Sequence, residues 1–272
     1  MLGHSTAEIL RYLRTTKTMW CAGCTNGIVM RALVDALLSV EADGDKVAVV
    51  AGIGCAGRIS TYLDYSTVHC THGRALVVAT GAKVADPSLQ VIVIMGDGDC
   101  AAIGGNHLIH TARRNVDLTA LVLNNSIYGM TGGQAGPTTH EGDFSKTSPY
   151  GHTEQAFDIC ELSRAAGATF VARGTAYSYM KLVGLIAAGV SHKGFSLVEV
   201  ESACPTFYGR FNETPAPAEM LLAQKRRAVP AERYEAGTAA HGDTYPVGVL
   251  HHVERTEYLD AYAEVQRRAQ SR

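Results

Sequence analysis

Two groups of residues have the types and spacing that chemistry uses. The first is Gly96-Asp97-Gly98-Asp99, with Asn125 following 28 positions after Asp97 as the second half of an Asn-Asn pair. Glycines let a backbone approach an anion closely, and the free N–H groups of a helix start attract phosphate. Asp97 between them offers a hard oxygen ligand. Mg²⁺ takes octahedral oxygen coordination and shares it with substrate phosphates. Asp97, Asn125 and a neighbouring backbone carbonyl would therefore hold Mg²⁺ against a diphosphate. Either half alone reads as an ordinary turn; the two together, each at a strand end, point to a site.

The second group is the cysteines. There are seven, at 21, 24, 55, 70, 100, 160 and 204. An odd number in a chain of intracellular character argues against a disulfide framework. Cys21 and Cys24 form a tight CAGC pair, which suits a thioredoxin-like redox pair, a zinc half-site or an iron–sulfur half-site. A thioredoxin motif wants a strand directly before it, and Thr15 to Trp20 is weak for that. Zinc normally shows a second close pair, which is missing. One close pair with two distant thiolates suits a [4Fe–4S] cluster. Cys55 in Gly-Ile-Gly-Cys and Cys204 before Pro205 are the distant candidates. Cys70, Cys100 and Cys160 read as packing thiols. Cys100 is notable among them, because a helix start lowers a thiol pKa. His107 and His110 lie one turn apart without an acidic partner at metalloprotease spacing, so packing and capping suit them better.

The elements that must position these residues alternate. Apolar, β-branched runs predict strands over 47–51, 91–95, 118–123, 169–172 and 196–200. Helical spacing falls between them, over 26–40, 73–85, 101–114, 153–166 and 177–192. This order implies an α/β fold, a mainly parallel sheet covered by helices on both faces. Ligands then bind in the crevice at the carboxyl ends of the strands. Residues 125–150 are rich in Gly, Thr, Ser and Pro, a long loop of the functional or mobile kind. We expect a domain over 1–204 and a C-terminal extension over 205–272 that packs on it or on a partner.

With GDG and NN set on neighbouring strand tips, the sequence resembles a family. GDG followed about thirty residues later by NN is the thiamine diphosphate fingerprint. The longer run GDGDCAAIGGNHLIHTARRNVDLTALVLNNSIYGMTGGQAGPTT resembles the β subunit of the 2-oxoacid:ferredoxin oxidoreductases, most nearly the 2-oxoglutarate type. The resemblance spans roughly residues 17 to 215 and includes GIGCAGR and THGRALVVATGAKVADP. It implies a thiamine diphosphate-binding fold. It also implies that Asp97, the Asn125 side chain and the Ile127 carbonyl ligate Mg²⁺. Gly54, Cys55, His72, Gly73, Gly96, Gly98 and Asp99 would line the coenzyme, as would the Tyr128-Gly129-Met130-Thr131 stretch. His72 and Met130 would lie near the substrate.

The same resemblance assigns Cys21, Cys24, Cys55 and Cys204 to the cluster. Ala22, Thr25 and Ala56 depart from the residues usual around these cysteines, yet none removes a ligand. The implied reaction is oxidative decarboxylation of a 2-oxoacid to acyl-coenzyme A and CO₂, with electrons leaving through the cluster to ferredoxin. A pyrimidine-binding half is missing, so an α-type subunit is an expected partner, with ferredoxin or a ferredoxin-like subunit. Arg58 or Arg74 could meet the distal carboxylate of 2-oxoglutarate. The rival readings are a non-redox thiamine decarboxylase subunit and a zinc-bearing interaction subunit.

Composition excludes other classes. The 272 residues carry 24 basic and 26 acidic side chains, a net charge of −2, which provides no basic field for nucleic acid or anionic membrane. No apolar run reaches the ~20 residues of a membrane span, and the N-terminus does not read as a signal peptide. A cytoplasmic protein is expected.

Overall fold

The computed structural model describes residues 3–214, 216–235 and 243–271. The chain begins with α1 (Thr6–Leu10), α2 (Asn26–Ser39), β1 (Val47–Ala51), α3 (Ile59–Tyr62), β2 (Ser66–His69) and α4 (Ala75–Ala85). Next come β3 (Gln90–Gly96), α5 (Gly105–Arg114), β4 (Leu118–Asn124) and a small hairpin of β5 (Ile127–Tyr128) and β6 (Gln134–Ala135). Then follow α6 (Ile159–Ala165), β7 (Phe170–Thr175), α7 (Tyr179–Ser191) and β8 (Phe195–Glu201). The last segment adds α8 (Pro217–Arg227), β9 (Ala228–Pro230), α9 (Ala231–Glu235), β10 (Tyr245–His252) and α10 (Tyr258–Gln270).

Eight strands form one sheet in the order β2-β1-β3-β4-β8-β7-β10-β9. Every pairing is parallel except that of β10 with β7. The central strands are apolar on both faces because helices cover both. In β3, Ile92 and Ile94 join a core shared with α2 and α7, whereas Val91, Val93 and Met95 point to the opposite core with α4 and α5. Continuous apolar runs are what a doubly covered parallel strand requires. Helices therefore lie on both faces, as the alternation predicts.

Three expectations change. The predicted helix over 101–114 is broken: a wide π-helical turn over Gly98–Ile103 precedes α5. It turns the Asp99 carboxylate back toward the loops after β1 and β2 instead of along a helix. The predicted helix over 153–166 begins only at Ile159, where the Asp158 side chain accepts the Glu161 N–H. Residues just before it are held extended, with Phe157 N–H donating to the Pro137 carbonyl at 2.8 Å. Strand β2 at one edge and β10 near the other, neither expected from the sequence, have no apolar run of the kind seen in β3 and β4. β2 is exposed or half-buried along its length.

The C-terminal segment is tied to the sheet. β10 covers the edge of β7, and Glu257 accepts the Asp117 N–H at 3.2 Å. Unpaired strand edges invite association, and an added antiparallel strand removes this one.

Candidate coenzyme and metal site

Four neighbouring strand ends supply the site. β1 leads into Gly52 to Cys55, β2 into His72 and Gly73, β3 into Asp97, and β4 into Asn125. Strand order reverses between β1 and β3, since β2 lies outside β1 and β3 inside it. Such a switch point opens a crevice at the carboxyl ends of the strands. A cleft lies there. It is lined by Gly54 and Cys55 from the β1 end, His72 from the β2 end, and Gly96 to Asp99 from the β3 end. Asn125 and the stretch from Ile127 to Thr131 close its other side. The structure thus brings together every residue expected at the coenzyme except Gly73. That residue stands behind the wall and gives its N–H to Asp99 at 2.6 Å.

Two glycines show why side chains are excluded here. A Cβ on Gly98 would overlap the Tyr128 ring, so the β3 tip and the β5 hairpin approach closer than alanine permits. Gly54 has φ +119°, a conformation open to glycine.

Asp97 is 3 % exposed, and burial pushes its pKa up to about 6. The Thr138 hydroxyl donates to its Oδ2 at 2.8 Å, and backbone N–H groups, including that of Asn125, oppose the rise. A buried carboxylate raised in this way gains from a divalent cation. The Asn125 carboxamide oxygen accepts the Ile127 N–H at 3.2 Å, which folds the hairpin over the strand tip. Carboxylate, amide oxygen and carbonyl are hard donors of the kind Mg²⁺ selects. The residues fit that ion.

Asp99 acts as a brace. Its Oδ1 accepts from Gly73 and lies 2.5 Å from His72 Nδ1 and 3.4 Å from the Ile53 nitrogen. The carboxylate thereby links the β1, β2 and β3 ends and fixes the His72 ring. Burial pushes its pKa up, and the Gly73 and His72 contacts oppose this.

The cysteines separate by place. Cys70, Cys100 and Cys160 are buried, whereas Cys21 is exposed and Cys24, Cys55 and Cys204 are partly so. Burial is the main cause that pushes Cys24 up to about 12, and the charges of Cys204, Cys55 and Cys21 add to it. Cys55 is raised in the same way, with Arg58 opposing. The four thiols are therefore neighbours. Among the described residues, however, no three of them lie within 4.8 Å of one another. A tetrahedral zinc site would hold its sulfurs about 3.8 Å apart, given a Zn–S bond of about 2.3 Å. Among the described residues no three of these thiols share that spacing. Cys55 also lines the cleft, and a Cβ on Gly129 would stand 3.2 Å from Cys204 Sγ.

Several expectations need correction. Cys100 does not become acidic at its helix start; full burial and the nearby Asp99 and Glu199 charges push it well above the ordinary thiol value. Cys160 is a buried packing thiol as expected, and in addition it donates to Glu199 Oε2 at 3.1 Å. Arg58 and Arg74 do not line the cleft. Arg74 instead lies against the Gly73 and Ile103 carbonyls, each at 3.3 Å.

Besides Ile53, Ala56 and Leu123 in the cleft wall, two polar residues at the site escape sequence reasoning. Thr138 reaches Asp97 from the long loop, and Asn26 enters from the start of α2. The only sequence signals were the Thr-Thr pair inside the resembling run and an Asn shortly after the CAGC pair.

Similarity to known proteins agrees with this geometry. Residues 49–200 match the thiamine pyrophosphate enzyme, C-terminal TPP binding domain, so the sheet and cleft are those of a thiamine enzyme. The chain is 55 % identical over 217 residues to the 2-oxoglutarate synthase subunit KorB of Archaeoglobus fulgidus, covering 79 % of each. It is 44 % identical over 190 residues to the 2-oxoacid:ferredoxin oxidoreductase subunit beta of Saccharolobus solfataricus, covering 69 % of this chain and 62 % of that one. Its fold matches a 2-oxoglutarate:ferredoxin oxidoreductase from Magnetococcus marinus, determined with 2-oxoglutarate, coenzyme A and succinyl-CoA bound. That match has a TM-score of 0.87 at 31 % identity and covers 96 % of this chain and 90 % of the other. The chain belongs to the family of 2-oxoacid:ferredoxin oxidoreductase β subunits. Among the described residues no helix is long and apolar enough to cross a membrane.

Proposed function

We propose that this chain is the coenzyme-binding subunit of a cytoplasmic 2-oxoglutarate:ferredoxin oxidoreductase. It would convert the 2-oxoacid and coenzyme A to acyl-coenzyme A and CO₂, with electrons passing through a [4Fe–4S] cluster to ferredoxin. The observation that carries this reading is the contact between the cleft and the thiols. Cys55 belongs to both, and Gly129 in the cleft lining packs so close to Cys204 that a Cβ on it would stand 3.2 Å from Cys204 Sγ.

Thiamine diphosphate supplies an electron sink when bound. Around it, Asp97, Asn125 and the Ile127 carbonyl would hold Mg²⁺ against the diphosphate. Gly54, Gly96, Gly98 and the Tyr128 to Thr131 stretch would admit the coenzyme closely, with Gly73 and Asp99 bracing His72. Cys21, Cys24, Cys55 and Cys204 would hold the cluster, and His72 and Met130 would face the substrate. Residues 1–204 form the coenzyme domain in this reading, and 205–272 an extension that packs on it or on a partner. An α-type subunit completes the site by binding the pyrimidine half. The preference for 2-oxoglutarate is supported by the names of the relatives.

The test is anaerobic purification of the complex of this chain with its α-type partner. About four irons per chain and a brown colour are expected, with viologen reduction that needs thiamine diphosphate and is fastest with 2-oxoglutarate. A colourless complex that decarboxylates without reducing the dye would overturn the redox reading. Turnover by this chain alone would overturn the need for a partner.

A further inference from the structure

Residue 26 is buried at the start of α2, and its side-chain amide is unsatisfied. Asn26 is 2 % exposed, and its Nδ2 has no hydrogen-bond partner. The same side chain lines the coenzyme cleft beside Gly54, Cys55 and Met130. Its position is well fixed. Thr25 Oγ1 accepts the Ala203 N–H at 2.8 Å, and the Thr25 carbonyl accepts the Ile28 and Val29 N–H groups at 2.9 and 3.1 Å. The first turn of α2 is thereby held between the loops carrying Cys24 and Cys204.

Buried donors are rarely left unpaired in folded proteins, and an exception in a cleft marks a place where a partner arrives from outside. Among the described residues, four buried side-chain atoms lack a partner, and two of them, Asn26 Nδ2 and Asp99 Oδ2, belong to residues lining this cleft. Asp99 is occupied with its brace through the other carboxylate oxygen. The Asn26 carboxamide Nδ2 has no partner within the chain and lines the cleft. The side of the cleft nearest the thiols is where the reacting carbon must lie if electrons are to reach them.

We infer that the Asn26 carboxamide is a ligand-binding donor on the thiol side of the cleft, giving an N–H to an acceptor oxygen of what binds there. That oxygen belongs to the 2-oxoacid or to the coenzyme. The inference rests on the cleft and cluster reading above and adds a residue to it.

Asn26→Ala removes the donor without adding charge, and Asn26→Asp keeps the shape while removing both N–H groups. Each variant is prepared in the complex with the partner subunit. Three quantities are read: KM for 2-oxoglutarate by viologen reduction, Kd for thiamine diphosphate with Mg²⁺, and the cluster midpoint potential. We expect at least one variant to retain its iron and to raise one of the first two at least tenfold. A rise in KM identifies the substrate oxygen, and a rise in Kd identifies the coenzyme oxygen. Values within threefold of the parent in both, or a change confined to the potential, would overturn the inference. Loss of iron from both variants would overturn it too, by making Asn26 part of the cluster's own support. If the unaltered complex binds no thiamine diphosphate, the underlying cleft reading fails before any variant is made.

Discussion

Thr138→Val is the sharpest probe of the metal site, because it alters one hydrogen atom's destination and little shape. Thr138 Oγ1 lies 2.8 Å from both Asp97 Oδ2 and Asn124 Oδ1. A hydroxyl has one proton to donate. Asn124 Oδ1 already accepts the Ser126 N–H at 3.1 Å, so ionised Asp97 is the better destination. A hydrogen bond to a charged group contributes about 1.5–3 kcal/mol. Asp97 keeps backbone donors from Asn125 and Gly98, which places the loss at the lower end of that range. Since about 1.4 kcal/mol is tenfold, Mg²⁺ affinity in the presence of thiamine diphosphate should fall about tenfold. Loss of an outer-shell partner usually costs about 10–100-fold in metal affinity, so the two estimates meet.

The variant carries a second consequence. Asp97 already sits at about 6, and among the groups holding it down Thr138 ranks first. Its removal moves the pKa further up, so protons compete with Mg²⁺ over a wider range. The loss should be larger near pH 6 than near pH 8. Calorimetric titration of Mg²⁺ into the thiamine-loaded complex at both pH values measures this. Affinity within twofold of the parent at each pH would refute the reasoning, as would a loss that grows with pH.

The other predictions are independent of Thr138. Cys55→Ser and Cys204→Ser should each lose iron and visible absorption, whereas Cys160→Ser should keep both; iron quantitation decides. In the metal-free protein, Asp97 has a folded pKa of about 6 against 3.8 unfolded. Its contribution is therefore fully present below pH 3.8 and lost as pH rises through 6, about 3 kcal/mol at about 1.36 kcal/mol per unit. Added Mg²⁺ should accordingly raise Tm more near neutral pH than near pH 5. Arg173→Met should destabilise by about 3–5 kcal/mol in thermal unfolding, because it strands a buried charge. The Arg173 guanidinium lies 2.7 Å from Glu199 Oε2 and 2.6 Å from Asp158 Oδ1. A double variant with Glu199→Gln should recover part of that loss.

Residues that act where a strand ends were legible in the sequence. Asp97 and Asn125 each follow an apolar run that forms a buried strand whatever surrounds it, and a parallel sheet sends neighbouring tips to one crevice. Residues that act across the fold were not. Thr138 lies 41 positions from Asp97 and reaches it only because the Asn125-to-Tyr150 loop folds back over β4. The loop is held there by bonds such as Thr139 Oγ1 to the Ser126 carbonyl at 2.7 Å, which local composition does not encode. The end of α6 was legible for local reasons and its start was not. Asp158 caps the helix, and the pull of Arg173 on the same carboxylate comes from β7. Cys100 is the buried packing thiol expected, and the helix-start effect does not operate on it for a related reason. A helix start lowers a thiol pKa only where solvent or a cation can accompany the charge, and this thiol is buried beside carboxylates.

The placement of the thiols follows from the same sheet. Cys55 sits where the chain leaves β1, Cys204 shortly after β8, and Cys21 and Cys24 just before α2, the helix packed on α7 across one face. None belongs to a free-standing insertion. Trp20 Nε1 donates to the Cys55 carbonyl at 2.8 Å, and Thr25 accepts from Ala203, so the two distant cysteine loops are tied directly to the CAGC segment. Thiols tied together in this way would hold their spacing for the cluster proposed above. Moreover, the β1 end that helps form the cleft also carries Cys55. On the proposed reading, the distance from the coenzyme to the cluster depends on how the loops carrying Cys55 and Cys204 are held. Replacement of Gly129, where a Cβ would press on Cys204 Sγ at 3.2 Å, should widen it.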